Sequence, residues 1–169
     1  MRLITIIKQI AARLWQKQKK IRGFQVTKNA PIDTKLPIRG SEGSAGYDAF
    51  APCDIFIPAH GCSELIHLNI KAYMQQGEWL AILCRSSYGV KEEKGHLIVV
   101  HGVGVVDSDF YSNPTNDGNI GVMFYSRVDH DVIIPKGDRC CQLIFMPYLL
   151  ADNDINLGCR KGGYGSSGD

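Results

Sequence analysis

The stretch His101-Gly-Val-Gly-Val-Val-Asp-Ser-Asp-Phe110 decides how this chain is read. A short apolar run ends in a carboxylate, turns through a Gly/Asn/Pro/Asp cluster, and returns as Ile120-Gly-Val-Met-Phe124. Both arms are rich in β-branched and aromatic residues, which predicts a β-hairpin. Gly102 and Gly104 interrupt the first arm. Glycine weakens a strand, so it marks a bulge or a place where something approaches the backbone closely. Asp107 closes that strand and is placed to hold a water against a bound ligand. The plainer use of the same acid is to cap or make the turn, and this stretch alone favours the plainer use.

Outward from this stretch the pattern is that of strands. Ile66, Leu68 and Ile70 alternate with His67, Asn69 and Lys71, the period of a half-buried strand. Trp79 to Cys84 is apolar throughout and predicts a strand buried on both faces. Pro58-Ala-His-Gly61, Gln75-Gln-Gly77 and Pro135-Lys-Gly-Asp138 are turn clusters between strands. Many short strands at such spacing argue for an all-β barrel or sandwich. Only the first twenty residues read as a sizeable helix. Leu3, Ile7, Ile10 and Leu14 share one helical face there, and Gly23 is expected to end it. The expected organisation is a basic amphipathic extension over 1–22, a β-domain over 23–150 and a glycine-rich arm over 151–169.

The chain has 169 residues, 44% hydrophobic and 21% charged, enough for one domain with a core. Its net charge of +2 is uneven. Six of the 19 bases (Arg2, Lys8, Arg13, Lys17, Lys19, Lys20) fall in the first twenty residues, which hold no acid. That leaves 13 bases against 17 acids, so the body lacks the basic surplus of a nucleic-acid binder. The six cysteines show no CxxC or Cys/His zinc spacing and are expected in the core. With no signal-peptide pattern and no apolar run long enough to span a bilayer, a cytoplasmic protein is expected.

Five clusters stand out: Ala45-Gly-Tyr-Asp48, Arg85-Ser-Ser87, Gly104-Val-Val-Asp107, Gly137-Asp-Arg-Cys-Cys-Gln142 and Arg160-Lys-Gly-Gly-Tyr-Gly-Ser-Ser167. Each has a bland use: Asp48 closing a turn, Arg85 pairing with a surface acid, Gln142 at a sheet edge, the tail as linker. Together they suit a nucleoside triphosphate. Arginines and backbone N–H groups serve phosphate, one acid a metal, another a water, and an aromatic ring a base.

In this order the clusters resemble the five motifs of the trimeric dUTP diphosphatase (dUTPase) family. The resemblance runs from about Leu36 to Gly168 and is nearest to the small forms of Gram-positive bacteria and their phages. It implies a homotrimer of jelly-roll-like β-barrels with active sites at subunit interfaces. The implied reaction is Mg²⁺-dependent hydrolysis of dUTP to dUMP and pyrophosphate, which limits uracil in DNA. Asp107 matches the water-activating acid, and Asp48 the acid that reaches Mg²⁺ through water. Arg85, Ser86, Ser87 and Gln142 match phosphate contacts. The resemblance places His101, Gly104, Val105, Val106 and Gly121 around the uracil and Phe110 under the deoxyribose. On the tail, Tyr164 matches the ring that stacks on uracil, Arg160 and Ser166 match residues that would hold the γ-phosphate of a neighbouring subunit's substrate, and Gly165 matches a further substrate contact.

Departures from the family pattern are Phe110 for Tyr, His101 for Asn, Ser87 for Gly and Tyr164 for Phe. An insertion over 112–118 is expected to lengthen the hairpin tip, either as a contact for a regulatory protein partner or only as a longer loop. One alternative is a dCTP deaminase, which shares the Arg-Ser-Ser segment but needs a glutamate on the returning strand. Asn119 to Arg127 contains no acid. The other is a dUTPase-like protein that acts by binding a partner.

Overall fold

The computed structural model describes residues 20–155 and residue 158. The expected leader helix lies outside the described residues, as does all of the arm except 151–155 and 158. The described elements are β1 (Gly23–Val26), β2 (Ile38–Arg39), β3 (Tyr47–Phe50), β4 (Ile55–Ile57), β5 (Ile66–His67), β6 (Ile70–Tyr73) and β7 (Glu78–Cys84). A short helix, α1 (Ser86–Val90), is followed by β8 (Ile98–Val99), β9 (Gly104–Asp107), β10 (Gly121–Val122), β11 (Phe124–Tyr125), β12 (Val132–Ile134) and β13 (Arg139–Pro147). The chain is thus mostly β. Among the described residues no membrane-length apolar helix occurs.

The largest sheet has the order β2-β3-β13-β7-β9. Its spine is β13, antiparallel to β3 on one edge and to β7 on the other. The four other sheets are two-stranded pairs: β1 with β6, β4 with β12, β5 with β10, β8 with β11. Leu80, Ile82 and Leu143 of the large sheet are buried with Ile55, Ile57, Ile134 and Phe124 of the pairs and with Leu97, just before β8. The apolar run Trp79–Cys84 is a central strand, as expected, and the three turn clusters form turns.

The expected hairpin does not form as drawn. Its arms do not pair with each other: β9 joins β7, and β10 joins β5. The returning chain pairs instead with β8, just upstream, through Phe124↔Val99 and Tyr125↔Ile98. The switch occurs at His101–Val103. There Gly102 N–H donates to Val99 O (2.7 Å) and Val103 N–H to His101 O (2.8 Å). Gly102 has φ +72° and open space around its α-carbon, so its glycine serves the turn. Gly104 is different: a Cβ there would lie 3.0 Å from the Ile82 Cβ, so its bareness lets β9 close on β7.

Other expectations shift for local reasons. The 66–71 strand breaks at Asn69, which has φ +60°, giving β5 and β6. Gly23 does not end a helix; it opens β1 opposite Tyr73. Of the cysteines, Cys140 and Cys141 are buried and Cys84 partly so, but Cys53 and Cys62 are exposed. Burial pushes the Cys84 thiol up to about 11, so it stays an inert thiol at neutral pH. Cys159 lies outside the described residues.

Lys71, expected on the polar face of its strand, is only 7% exposed. Its ammonium donates to Asp117 Oδ1 (2.8 Å) and Ser112 Oγ (3.0 Å) and lies over the Tyr111 ring. The hydrogen bond from Lys71 holds the Asp117 carboxyl below its ordinary range. A depressed folded-state pKa stabilises fully above the unfolded value, about 3.9, and is lost as pH falls through the folded value. Asp117→Asn is therefore expected to destabilise the protein at pH 7 by about 3 kcal/mol, since it strands a buried ammonium. Thermal melts should show that gap closing below about pH 4; a gap unchanged at pH 3 would rule the ion pair out as its cause.

Candidate active site

The sequence-predicted residues fall into two groups. The first lines a cavity of about 440 Å³, a size that suits a nucleoside. His101, Gly104, Val105, Val106, Phe110 and Gly121 are all on its wall. The sequence does not mark out Leu65, Ile82, Val99, Ile120, Val122 and Met123, which complete the wall. They come from segments far apart in sequence, and nothing in their local pattern marks them off from core.

The split hairpin creates this cavity. β9 leaves β8 at the His101–Val103 turn to join β7, while β10 stays with β5. A gap opens between two chain segments that would otherwise have been zipped together. β9 is also the last strand of its sheet, so one edge is turned away from β7. An edge of backbone N–H and C=O groups can pair with any planar molecule of alternating donors and acceptors.

Asp107 ends β9 opposite Trp79 and precedes a 3-10 turn over Ser108–Phe110. It is the N-cap residue of that turn, but its side chain makes no capping hydrogen bond to it. Phe110, at the end of the turn, is 6% exposed and forms part of the cavity wall.

The second group is polar and lies across β3, β13 and the end of β7. Asp48 and Gln142 are directly opposite each other on β3 and β13. Arg85 Nε donates to Asp48 Oδ1 at 2.8 Å, and Arg139 Nη1 to Asp48 Oδ2 at 3.3 Å. A further Arg85 nitrogen reaches Ser87 Oγ and the Arg139 carbonyl, each at 3.3 Å. Arg85 is the N-cap of α1, and its carbonyl accepts from the N–H groups of Tyr88 and Gly89. Gly46 leaves the space that the Gln142 side chain fills; a Cβ there would overlap it. One carboxylate thus organises two guanidiniums, leaving a net positive patch beside Ser87 and Gln142. That is the chemistry of a phosphate site.

Arg139 was not assigned a role from the sequence. Three positions before Gln142 on a regular strand, it would face away from it. A bulge corrects the parity: Arg139 pairs with Phe50 and Cys141 with Ala49, so Cys140 is the extra residue. Phe50 is two residues beyond Asp48, so Arg139 returns to the face of Asp48. Consecutive buried Cys140 and Cys141 in a strand that otherwise alternates were the available signal.

Among the described residues no group of three or more His, Cys, Asp or Glu could hold a metal. Asp48 is 5% exposed, and both its oxygens already accept a guanidinium N–H. A carboxylate has about four acceptor positions, so it could still take a water from a hydrated ion. The residues fit a metal carried by the substrate and reached through water. They do not fit an all-protein cage. Arg160, Tyr164, Gly165 and Ser166 lie outside the described residues.

The two groups are not adjacent within one chain. Asp107 pairs with Trp79 near one end of β7, whereas Gln142 pairs with Leu83 and Arg85 follows its other end. The steps from Trp79 to Arg85 span about 20 Å at ~3.3 Å per residue.

The dUTPase family model matches residues 33–168. The chain belongs to the dUTPase family. A deoxyuridine 5'-triphosphate nucleotidohydrolase of Lactococcus lactis is 44% identical over 154 residues, covering 88% of this chain and 99% of the relative. The crystal structure of a dUTPase from Streptococcus mutans superposes with a TM-score of 0.70 at 36% identity, covering 78% of this chain and 99% of that one. A mutant dUTPase of phage phi11 of S. aureus, in which a structural Mg(II) ion is coordinated, shares the fold with a TM-score of 0.63 at 15% identity, over 82% of this chain and 98% of that one. The reaction of this dUTPase is the hydrolysis of dUTP, and the deaminase alternative is set aside.

Proposed function

We propose that Asp107 aligns and deprotonates the water that attacks the α-phosphorus of dUTP. An oxygen–phosphorus bond forms there as the bond to the bridging oxygen breaks. The electron pair leaves with pyrophosphate, the water proton passes to Asp107, and dUMP remains. A carboxylate is a weak base for water, so alignment and charge neutralisation must supply much of the acceleration. Mg²⁺ bound to the triphosphate would offset its charge, with Asp48 reaching the ion through water. Arg85, Ser86, Ser87 and Gln142 hold the phosphates, and Arg139 shares Asp48 with Arg85. The edge of β9 around Val103 to Val105, with Gly121, reads the uracil. Thymine's methyl would clash with that backbone, and cytosine's amino group would meet donors. Phe110 lies under the deoxyribose.

The observation that carries this reading is the separation of Asp107 from Arg85 by about 20 Å of extended strand. Water activation and phosphate binding must meet at one phosphorus, so the groups come from different copies of the chain. A homotrimer of jelly-roll-like barrels supplies them, with the 151–169 arm carrying Tyr164, Arg160, Gly165 and Ser166 onto a neighbour's site. The enzyme would act in the cytoplasm. The test is pyrophosphate release from dUTP, UTP, dCTP and dTTP, with and without chelation of Mg²⁺. Release confined to dUTP, and lowered by about a hundredfold or more on chelation, is expected. Comparable release from UTP would remove the sugar role from Phe110.

A further inference from the structure

The 112–118 insertion does not project as a hairpin tip. It folds back on Phe110. Asn113 is 5% exposed, and its amide nitrogen donates to the Phe110 carbonyl at 3.0 Å and to Asn116 Oδ1 at 2.7 Å. Its backbone N–H donates to the same carbonyl at 3.3 Å. Its amide oxygen accepts from Thr115 N–H (3.1 Å), Thr115 Oγ1 (2.7 Å) and Asn116 N–H (3.1 Å). Every polar atom of this buried amide is therefore used, which fixes its orientation.

The loop is in turn bolted to a different sheet. Asp117 accepts from Lys71 Nζ of β6 through one oxygen and from the Lys28 N–H through the other, both at 2.8 Å. Tyr111 Oη donates to Gln25 Oε1 of β1 at 2.6 Å. Beyond the loop, Ile120 N–H donates to Ile70 O at 2.9 Å, and Asn119 Oδ1 accepts from Asn69 N–H at 2.9 Å. Phe110 and Ile120 face the same cavity, and both ends of the insertion are referred to the β1–β6 pair. The insertion therefore sets the distance between two walls of the nucleoside cavity.

We propose that Asn113 and Lys71 are positioning residues for sugar selectivity. Asn113 holds the Phe110 backbone, and Lys71, through Asp117, holds the loop that carries Asn113. The slot beneath the sugar stays too narrow for a 2′-hydroxyl because Phe110 cannot retreat. This rests on the reading that Phe110 lies under the deoxyribose. A purely structural loop could be loosened without changing which nucleotide is hydrolysed.

Asn113→Asp separates the two. It keeps the side-chain oxygen that accepts from Thr115 and Asn116, but it removes the side-chain N–H donors to the Phe110 carbonyl and to Asn116 Oδ1, leaving only the longer backbone N–H on that carbonyl. The kcat/KM ratio of dUTP to UTP should fall about tenfold, through a gain in UTP turnover and a lower UTP KM. The kcat for dUTP should stay within about threefold, which also reports that the site is folded. Lys71→Met should lower the ratio in the same direction. Phe110→Ala serves as the control for the underlying reading. If Phe110→Ala lowers the ratio and neither Asn113→Asp nor Lys71→Met does, the positioning role is wrong while the sugar contact stands. If Phe110→Ala leaves the ratio unchanged, the sugar contact itself is wrong and the proposal goes with it.

Discussion

Asp107→Asn should cut pyrophosphate release from dUTP by about a thousandfold, within the range general-base removal usually costs. The substitution keeps size and hydrogen-bonding shape and removes only the basic oxygen. Asp107 is not on the wall of the nucleoside cavity, which is made by Gly104, Val105, Val106 and Phe110 on either side of it. Affinity for dUTP should therefore change less than about threefold, measured by calorimetry with a non-hydrolysable analogue, while kcat collapses. Such a kcat-only effect marks an interaction made in the transition state rather than in the bound substrate. Loss of affinity in step with loss of rate would instead make Asp107 a binding residue, and the water would need another base.

Residue types and local spacing made the chemistry legible, while pairing between distant strands was not. The strand-rich pattern, the central position of Trp79–Cys84 and the turns at Pro58, Gln75 and Pro135 follow from periodicity and turn chemistry that act over a few residues. Asp48, Arg85 and Gln142 carry the right functional groups, and the fold brings them onto one face. The hairpin was misread because β-propensity says that two segments are strands and not which partner each takes. Phe124 and Tyr125 find β8, and β9 finds β7, through contacts set by the whole core. Arg139 was missed because one extra residue at Cys140 reverses the parity of its strand. A lysine in an alternating strand predicts polar surface, because nothing local marks the partly buried Asp117 carboxylate 46 residues away. These errors share one cause: non-local pairing decides the outcome, and the sequence window does not contain the partner.

Two variants that are each nearly inactive should regain activity when mixed. Asp107→Asn lacks the proposed base, and Arg85→Gln lacks the guanidinium that Asp48 holds, the proposed phosphate contact. In one chain these groups lie at opposite ends of β7, about 20 Å apart along the strand. In the proposed trimer a working site takes Asp107 from one subunit and Arg85 from another. Random assembly of closed trimers from equal amounts of the two variants leaves about one site in four with both wild-type groups, so about a quarter of wild-type rate is expected after co-refolding. If the chain instead bent to bring both groups into its own site, every site in the mixture would carry one lesion and the rate would stay at the level of the parents. Native mass spectrometry of the mixture shows whether hybrid trimers formed, so silence despite hybrids would count against the shared site rather than against the exchange. Recovery would also explain why the described residues form two half-sites: the nucleoside cavity beside β9 and the arginine-lined patch on β3 and β13 face different neighbours, and only assembly brings the water and the phosphate together.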